Sequence, residues 1–298
     1  MSIKIIPRLF GGLGNQLFIY AAARRLALVN NAELVLDNVS GFARDRLYNR
    51  KYELGPFELP CRMATPAERL EPFPAIRRRV MRVVDRARPF NERRYVKQDG
   101  LDFDKRLLRV RPQSSLYLEG YWQSEGYFED VGEIVRADLH MGPLTDQANK
   151  DMADLIHSHP AVAVHVRFFE PPQTQGPGNA PPDYYVRALQ VIEDRVPRAH
   201  YFVFSDNPSA AATRLPLPSG RVTVVQHNQG SDGAYADLWL MSQCRHFVIA
   251  NSTFSWWGAW LGSYKDKTVV APSADSVGGL GVGAWGFSGL LPERWLSL

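Results

Sequence analysis

Cysteine is nearly absent: the 298 residues contain only Cys61 and Cys244, far apart and outside any His/Cys cluster. That argues against a disulfide framework or a cysteine-bound structural zinc, and cytoplasmic residence is the expectation. Long apolar runs are missing too. No stretch approaches the roughly 18 residues that a spanning helix needs. The N-terminus enters a strand pattern at once with Ile3-Lys4-Ile5-Ile6, leaving no basic region, apolar region and cleavage site of a signal peptide. A soluble protein is expected, with at most peripheral contact with the inner face of a membrane. Charge of one sign is in small excess, 35 Lys and Arg against 31 Asp and Glu. A net +4 suits a polyanionic small ligand such as a nucleotide, but it is too mild to argue for nucleic acid, and no nucleic-acid-binding module is present. Repeats and low-complexity tracts are lacking.

What is there is strand–helix alternation over a chain that is 45% hydrophobic, enough for one large core or two ordinary ones, and the alternation points to α/β. The pattern breaks and restarts around Pro143, which places a domain boundary near 140–150. The stretch 239–261, WLMSQCRHFVIANSTFSWWGAWL, organises the rest. It reads as a helix, a buried strand at 247–250, a polar corner and a second helix. Asn251, Ser252 and Thr253 stand where a strand ends and a helix begins, so they serve either as a helix cap or as an anion site on free N–H groups. In open α/β sheets ligands dock outside the carboxyl ends of strands.

Near the N-terminus, residues 3–9 read as a strand, 11–16 as a tight loop and 17–29 as an alanine-rich helix leading to a strand at 33–36. Gly11, Gly12 and Gly14 permit positive φ and close approach of a ligand to the backbone. Gly12-x-Gly14, with Asp37 about twenty residues on, partly matches a dinucleotide fingerprint, but Leu17 stands where its third glycine is needed. The other reading turns Asn15 and Gln16 toward a sugar or phosphate, or leaves them to satisfy the loop's own backbone.

Residues 41–103 are Pro- and Arg-rich, with one helix near 75–88. Its arginines are expected on a solvated face, with Ile76, Val80, Val83, Val84 and Ala87 on an apolar side. Contact with an anionic membrane surface or a lipid-linked acceptor is the alternative. Asp102-Phe103-Asp104 matches a DxD metal pattern, but a charged helix start explains it equally well. Residues 116–124 form a strand running into an aromatic, amide-bearing loop with Trp122 and Gln123, suited to stacking on a sugar or to packing.

In the second half, residues 161–167 alternate so that His165 and Arg167 share a face at the carboxyl end of a buried strand, where a guanidinium can grip phosphate oxygens. Glu170 opens a long Pro/Gly loop. Residues 201–204 form another strand, after which Asp206 either accepts hydrogen bonds from a base or ribose or caps a helix.

Read in order, GGLGNQLFIYAAA, LEGYWQSEGYF, His165-x-Arg167 and LMSQCRHFVIANSTFSWWGAWL resemble glycosyltransferase family 11, the α-1,2-fucosyltransferases, over nearly the whole chain. The resemblance implies a GT-B-like arrangement of two Rossmann-type domains whose parallel sheets face a central cleft: 1–145 on the acceptor side and 146–298 binding GDP-fucose. It implies metal-independent, inverting transfer of fucose from GDP-β-L-fucose to the 2-OH of a terminal β-galactoside, as an oligosaccharide or a lipid-linked glycan. No cofactor or metal is implied. Fucosyltransferases of another linkage and non-catalytic sugar-nucleotide or glycan binders share parts of the pattern.

The site that follows places Gly14, Asn15, Gln16, His165, Arg167, Asp206, Asn251, Ser252, Thr253 and Phe254 on the donor and Trp122 and Gln123 on the acceptor. Arg167, Asn15 and Glu170 carry the chemistry. Fixed donors aimed at the pyrophosphate stabilise the charge that GDP gains as it leaves. The family commonly continues H-x-R-R-G-D-Y, whereas this chain has His165-Val166-Arg167-Phe168-Phe169-Glu170. Glu170 replaces the aspartate, either as general base on the acceptor hydroxyl or as a partner of an arginine that fixes the loop.

Overall fold

The structure, a computed structural model, describes residues 2–43, 45, 46, 48–169, 179–277 and 285–298, with backbone only at 231, 232 and 276. The chain divides into two compact units, Met1–His140 with Ser288–Leu290, and Met141–Phe287 with Leu291–Leu298. Both are parallel α/β sheets, as the alternation predicts.

In unit 1 the strands are β1 (Lys4–Pro7), β2 (Glu33–Leu36), β3 (Arg62–Met63), β4 (Tyr95–Lys97) and β5 (Leu116–Glu119). Their order across the sheet is β3-β2-β1-β5-β4, with Ile5 paired to Leu116 and Pro7 to Leu118. Helix α1 (Leu13–Val29) links β1 to β2 and begins four residues before the expected start. Leu13, Leu17 and Phe18 are buried, and each large apolar side chain removed from water is worth about 1.5–3 kcal/mol. That outweighs the roughly 1 kcal/mol that Gly14 costs inside a helix. The loop therefore shrinks to Phe10–Gly12, with Gly12 as N-cap.

Helix α2 (Pro74–Asp85) corrects a second expectation. Its apolar side faces solvent, with Ile76, Val80, Val83 and Val84 all more than half exposed, while Arg78 and Asp85 are buried. The inward contacts are polar: Arg78 Nη2 donates to Asp37 Oδ2 at 3.0 Å, and Asp85 Oδ2 accepts the N–H groups of Arg94 and Tyr95 at 2.8 and 2.6 Å. Helix α3 (Gly132–Asp138) closes the unit, and its Asp138 accepts from Tyr20 and Arg24 of α1.

Unit 2 contains helix α4 (Gln147–His157), then β6 (Ala161–Val166), α5 (Pro182–Arg195), β7 (His200–Ser205), α6 (Pro208–Arg214), β8 (Val222–Val224), α7 (Gly230–Gln243), β9 (His246–Val248), α8 (Thr253–Leu261), β10 (Val269–Ala271) and β11 (Leu296–Ser297). The sheet order is β11-β10-β9-β6-β7-β8. Counted from β6, this is the 3-2-1-4-5-6 order of a Rossmann sheet, whose direction of winding reverses between β6 and β9. Every residue of β6 is buried, as a central parallel strand requires. Trp256, Trp257 and Trp260 of α8 are buried and pack on one another with ring centroids 5.1–6.3 Å apart. They fill the core.

Candidate functional site

In each unit the sheet winding reverses once, the topology that opens a crevice in α/β sheets, and the residues singled out in the sequence divide between the two reversals.

In unit 2 the reversal lies between β6 and β9. Their register pairs Val164 with Val248; carried two residues further, it sets Val166 level with Ala250, just before the turn into α8. Ser252 is the N-cap of α8, yet its side chain makes no capping bond. The first-turn N–H groups of the helix, which have no intrahelical acceptor, therefore lack that partner, and the positive end of the helix dipole lies at the strand end. Asn251 and Ser252 are buried, while Thr253 and Phe254 are partly exposed.

His165 is buried, with its ring centroid 5.5 Å from that of Phe254. Its Nδ1 has no hydrogen-bond partner among the described residues. Burial, with Arg167 nearby, pushes its pKa down to about 3, so the imidazole is neutral at ordinary pH. Such a ring can donate or accept a hydrogen bond, but it is not a cation at pH 7.

Arg167 follows the strand and is partly exposed. Its Nη1 lies 3.0 Å from Asp206 Oδ2, and its guanidinium carbon is 5.3 Å from the centre of the Phe169 ring. Both Asp206 oxygens are engaged, since Oδ1 accepts the Phe168 N–H at 3.1 Å. Asp206 therefore orients Arg167, a role beside the base or ribose contact or helix cap expected of it. Nη2 and Nε of Arg167 have no acceptor among the described residues, which leaves a fork-shaped donor pair for an anion.

Three positioning residues escaped the sequence reading. Tyr185 donates its hydroxyl to the His165 carbonyl at 3.0 Å, and Tyr184 donates to the carbonyls of Ile249 and Val270 at 2.7 and 3.0 Å. Asn179 Oδ1 accepts the Phe169 N–H at 2.7 Å. The double Tyr near the start of α5 was the available signal. Glu170, the expected base, lies outside the described residues.

In unit 1 the reversal lies between β1 and β5. Gly11 adopts φ +77°, and a Cβ there would come within 2.6 Å of Asn15 Nδ2, so this position needs glycine. Gln123 Nε2 donates to Asn15 Oδ1 at 2.7 Å, and the rings of Phe10 and Tyr121 are 4.6 Å apart. The two expected loops therefore meet. Gly14 is buried in the first turn of α1.

Gln16 and Trp122 depart from expectation. Gln16 is fully buried: its Nε2 donates to the carbonyls of Gly11 and Lys51, both at 2.9 Å, and its Oε1 accepts the Glu53 N–H at 2.9 Å. Its polar atoms clamp the loop rather than face a donor. Trp122 sits at φ +54° and is buried, edge-on to Tyr127 at 5.4 Å, so no face is open to a sugar. The partly exposed ring of this loop is Tyr121. Arg50, unremarked in the sequence, brings its guanidinium over Gly12, 3.4 Å from where a Cβ would stand.

Asp37 does not serve a ribose, because Arg78 and the Ser40 backbone N–H occupy its carboxylate. Asp104 caps its own 3-10 turn and pairs with Arg106 at 2.7 Å, and Asp102 accepts the Ser288 N–H at 2.8 Å. Among the described residues no group of three His, Cys, Asp or Glu is placed to hold a metal ion. No helix among them is long and apolar enough to cross a membrane.

Two parallel Rossmann-type sheets, one in each unit, define the GT-B class of fold. Residues 74–277 match the family described as Glycosyl transferase family 11. An O-antigen biosynthesis glycosyltransferase of Escherichia coli, WbnK, is 31% identical over 292 residues, covering 89% of this chain and 92% of that one. An α-1,2-colitosyltransferase of Escherichia coli is 27% identical over 92% of each chain. The solved fucosyltransferase NodZ from Bradyrhizobium shares the fold, with TM-score 0.51 and 13% identity over 87% of this chain and 92% of that one. The chain belongs to glycosyl transferase family 11.

Proposed function

We propose that this glycosyltransferase moves L-fucose from GDP-β-L-fucose to the 2-OH of a terminal β-galactoside with inversion, forming an α-1,2 linkage. The carrying observation is the convergence at one strand reversal of Arg167, held by Asp206, a neutral His165, and the first turn of α8 without a side-chain cap. As the bond between fucose and phosphate breaks, the sugar becomes oxocarbenium-like and GDP gains negative charge. The free edge of Arg167 and the N–H groups of Thr253 and Phe254 stabilise that charge, a task they share without a metal or a cofactor. His165 offers its Nδ1 to the phosphate or the nucleoside.

Unit 1 takes the acceptor. Asn15 and Gln123 present paired amides to sugar hydroxyls, and Tyr121 supplies the apolar ring. Glu170 is the assigned base for the acceptor hydroxyl. The enzyme works in the cytoplasm, on a free or lipid-linked glycan at the inner face of the membrane.

The test is incubation with GDP-fucose and a panel of galactosides, in EDTA and with manganese, followed by linkage determination of the product. An α-1,2-fucosyl product formed in EDTA is expected; another linkage, or activity only with manganese, overturns the reading. The colitosyl relative supports a second reading in which the donor sugar is colitose. Comparing kcat/KM for the two activated sugars decides between them.

A further inference from the structure

The feature that the transfer reaction leaves unused is the outward face of α2. A surface helix ordinarily turns its apolar stripe to the core, and α2 does the reverse. Phe73 at its N-cap, Ile76, Val80, Val83 and Val84 are 67%, 63%, 56%, 59% and 54% exposed. They are five of the twelve exposed large apolar side chains among the described residues, gathered on one short helix. At about 100° per residue they fall within an arc of roughly 100°. A scattered exposed valine needs no explanation; a continuous stripe does.

The helix cannot roll to bury this stripe. Arg78 is tied to Asp37 at 3.0 Å and to Ser40 Oγ at 2.6 Å, Asp85 holds two backbone N–H groups of the next strand, and Arg82 lies over the Tyr95 ring at 5.9 Å. The polar side is thus the docked side.

Charge identifies the occupant. On the helical wheel Arg77 borders one edge of the stripe and Arg79 and the C-cap residue Arg86 the other, and all three are exposed. Arg79 and Arg86 have no carboxylate partner among the described residues. A second copy of the chain fits poorly, because a two-fold contact through the stripe would set one ring of arginines against another. A plane that is apolar inside and anionic at its rim fits both features.

We propose that α2 docks the protein on an anionic phospholipid bilayer. The stripe from Phe73 to Val84 enters the boundary between headgroups and acyl chains, and the flanking arginines contact lipid phosphates. The helix lies in the membrane plane and spans nothing.

The test is co-sedimentation of the full chain with vesicles of phosphatidylcholine alone, or with one third phosphatidylglycerol, at low and high salt. Binding is expected only with phosphatidylglycerol and should weaken with salt. Val80→Asp with Val83→Asp should abolish it. Arg79→Glu with Arg86→Glu should weaken it roughly 30-fold or more, as two surface charges predict. All four side chains are exposed, so circular dichroism and fucosyl transfer to a soluble acceptor should be unchanged. A Val83→Trp variant should shift its emission to the blue on anionic vesicles. The proposal is overturned by absence of binding to anionic vesicles, by binding that survives Val80→Asp with Val83→Asp, or by a solution dimer that this double variant dissolves.

Discussion

The two units answer the same topological opportunity with different chemistry. Each opens a crevice where its sheet reverses winding, next to the N-terminus of a helix: α1 in unit 1 and α8 in unit 2. Unit 2 lines its crevice with an ion-paired arginine, a neutral histidine and a polar N-S-T corner. Unit 1 lines its own with an amide pair and aromatic rings, under a glycine turn. The first set suits a group that gains charge during reaction, and the second suits neutral hydroxyls and ring faces. The proposed transfer, with a leaving diphosphate and a sugar acceptor, calls for that division.

The largest expected effect tests the charged crevice. Arg167→Ala should lower kcat/KM by roughly 10²–10³, about 3–4 kcal/mol of transition-state stabilisation, with the loss mainly in kcat. Arg167→Lys should recover only part, because an ammonium cannot present a two-pronged fork. Asp206→Asn should cost less than Arg167→Ala, since it loosens the arginine without removing it. Steady-state kinetics with GDP-fucose checks the order; equal losses from Asp206→Asn and Arg167→Ala would mean that Asp206 itself touches the donor.

Next comes the scaffold of the neutral crevice. Gln16→Leu strands two carbonyls and one N–H, so the protein should lose about 2–3 kcal/mol of stability, read as a lowered denaturation midpoint. If Gln16 instead contacted the donor, KM for GDP-fucose would rise with stability intact. Gln123→Ala should be milder, raising the acceptor KM by roughly tenfold, about 1.4 kcal/mol, with the donor KM unchanged. A change confined to the donor KM would reverse the division between the units.

The charged crevice was the more legible of the two in the sequence. An apolar strand run ending in His165-x-Arg167 and another ending in Asn-Ser-Thr mark strand ends, and parallel topology gathers strand ends on one edge. The pairing of Arg167 with Asp206 was hidden, because it joins residues 39 positions apart whose separate chemistries both suit a ligand. Trp122 misled because its left-handed φ turns the ring inward, and residue type does not report φ. Helix α2 shows a limit of another kind. Its 3.6-residue period divided apolar from basic residues correctly, but period alone does not say which side faces water, and here Asp37 and the Arg94–Tyr95 backbone claim the polar side. The return of Ser288–Leu290 to unit 1 carries no local signal at all.

The smallest effects sharpen the comparison through pH. Unit 1 settles its buried charges by pairing them, as in Arg78 with Asp37 and Arg24 with Asp138. Unit 2 instead keeps groups neutral: burial holds His165 down to about 3 and pushes Asp237, which Asn228 contacts at 3.0 Å, up to about 7. The two residues should tilt stability in opposite directions. Between about pH 6.5 and 3 the unfolded chain binds a proton at His165 that the folded chain refuses, so this residue makes stability fall with acidification. Between about pH 4 and 7 the folded chain keeps a proton on Asp237 that the unfolded chain releases, so this residue makes stability fall as pH rises. Melting temperatures from pH 4 to 7.5 should therefore give His165→Gln a flatter acid limb than the parent and Asp237→Asn a flatter neutral one. A slope unchanged by His165→Gln would mean that the imidazole takes up its proton as readily in the folded chain as in the unfolded one, which would set a second cation beside Arg167 in acid.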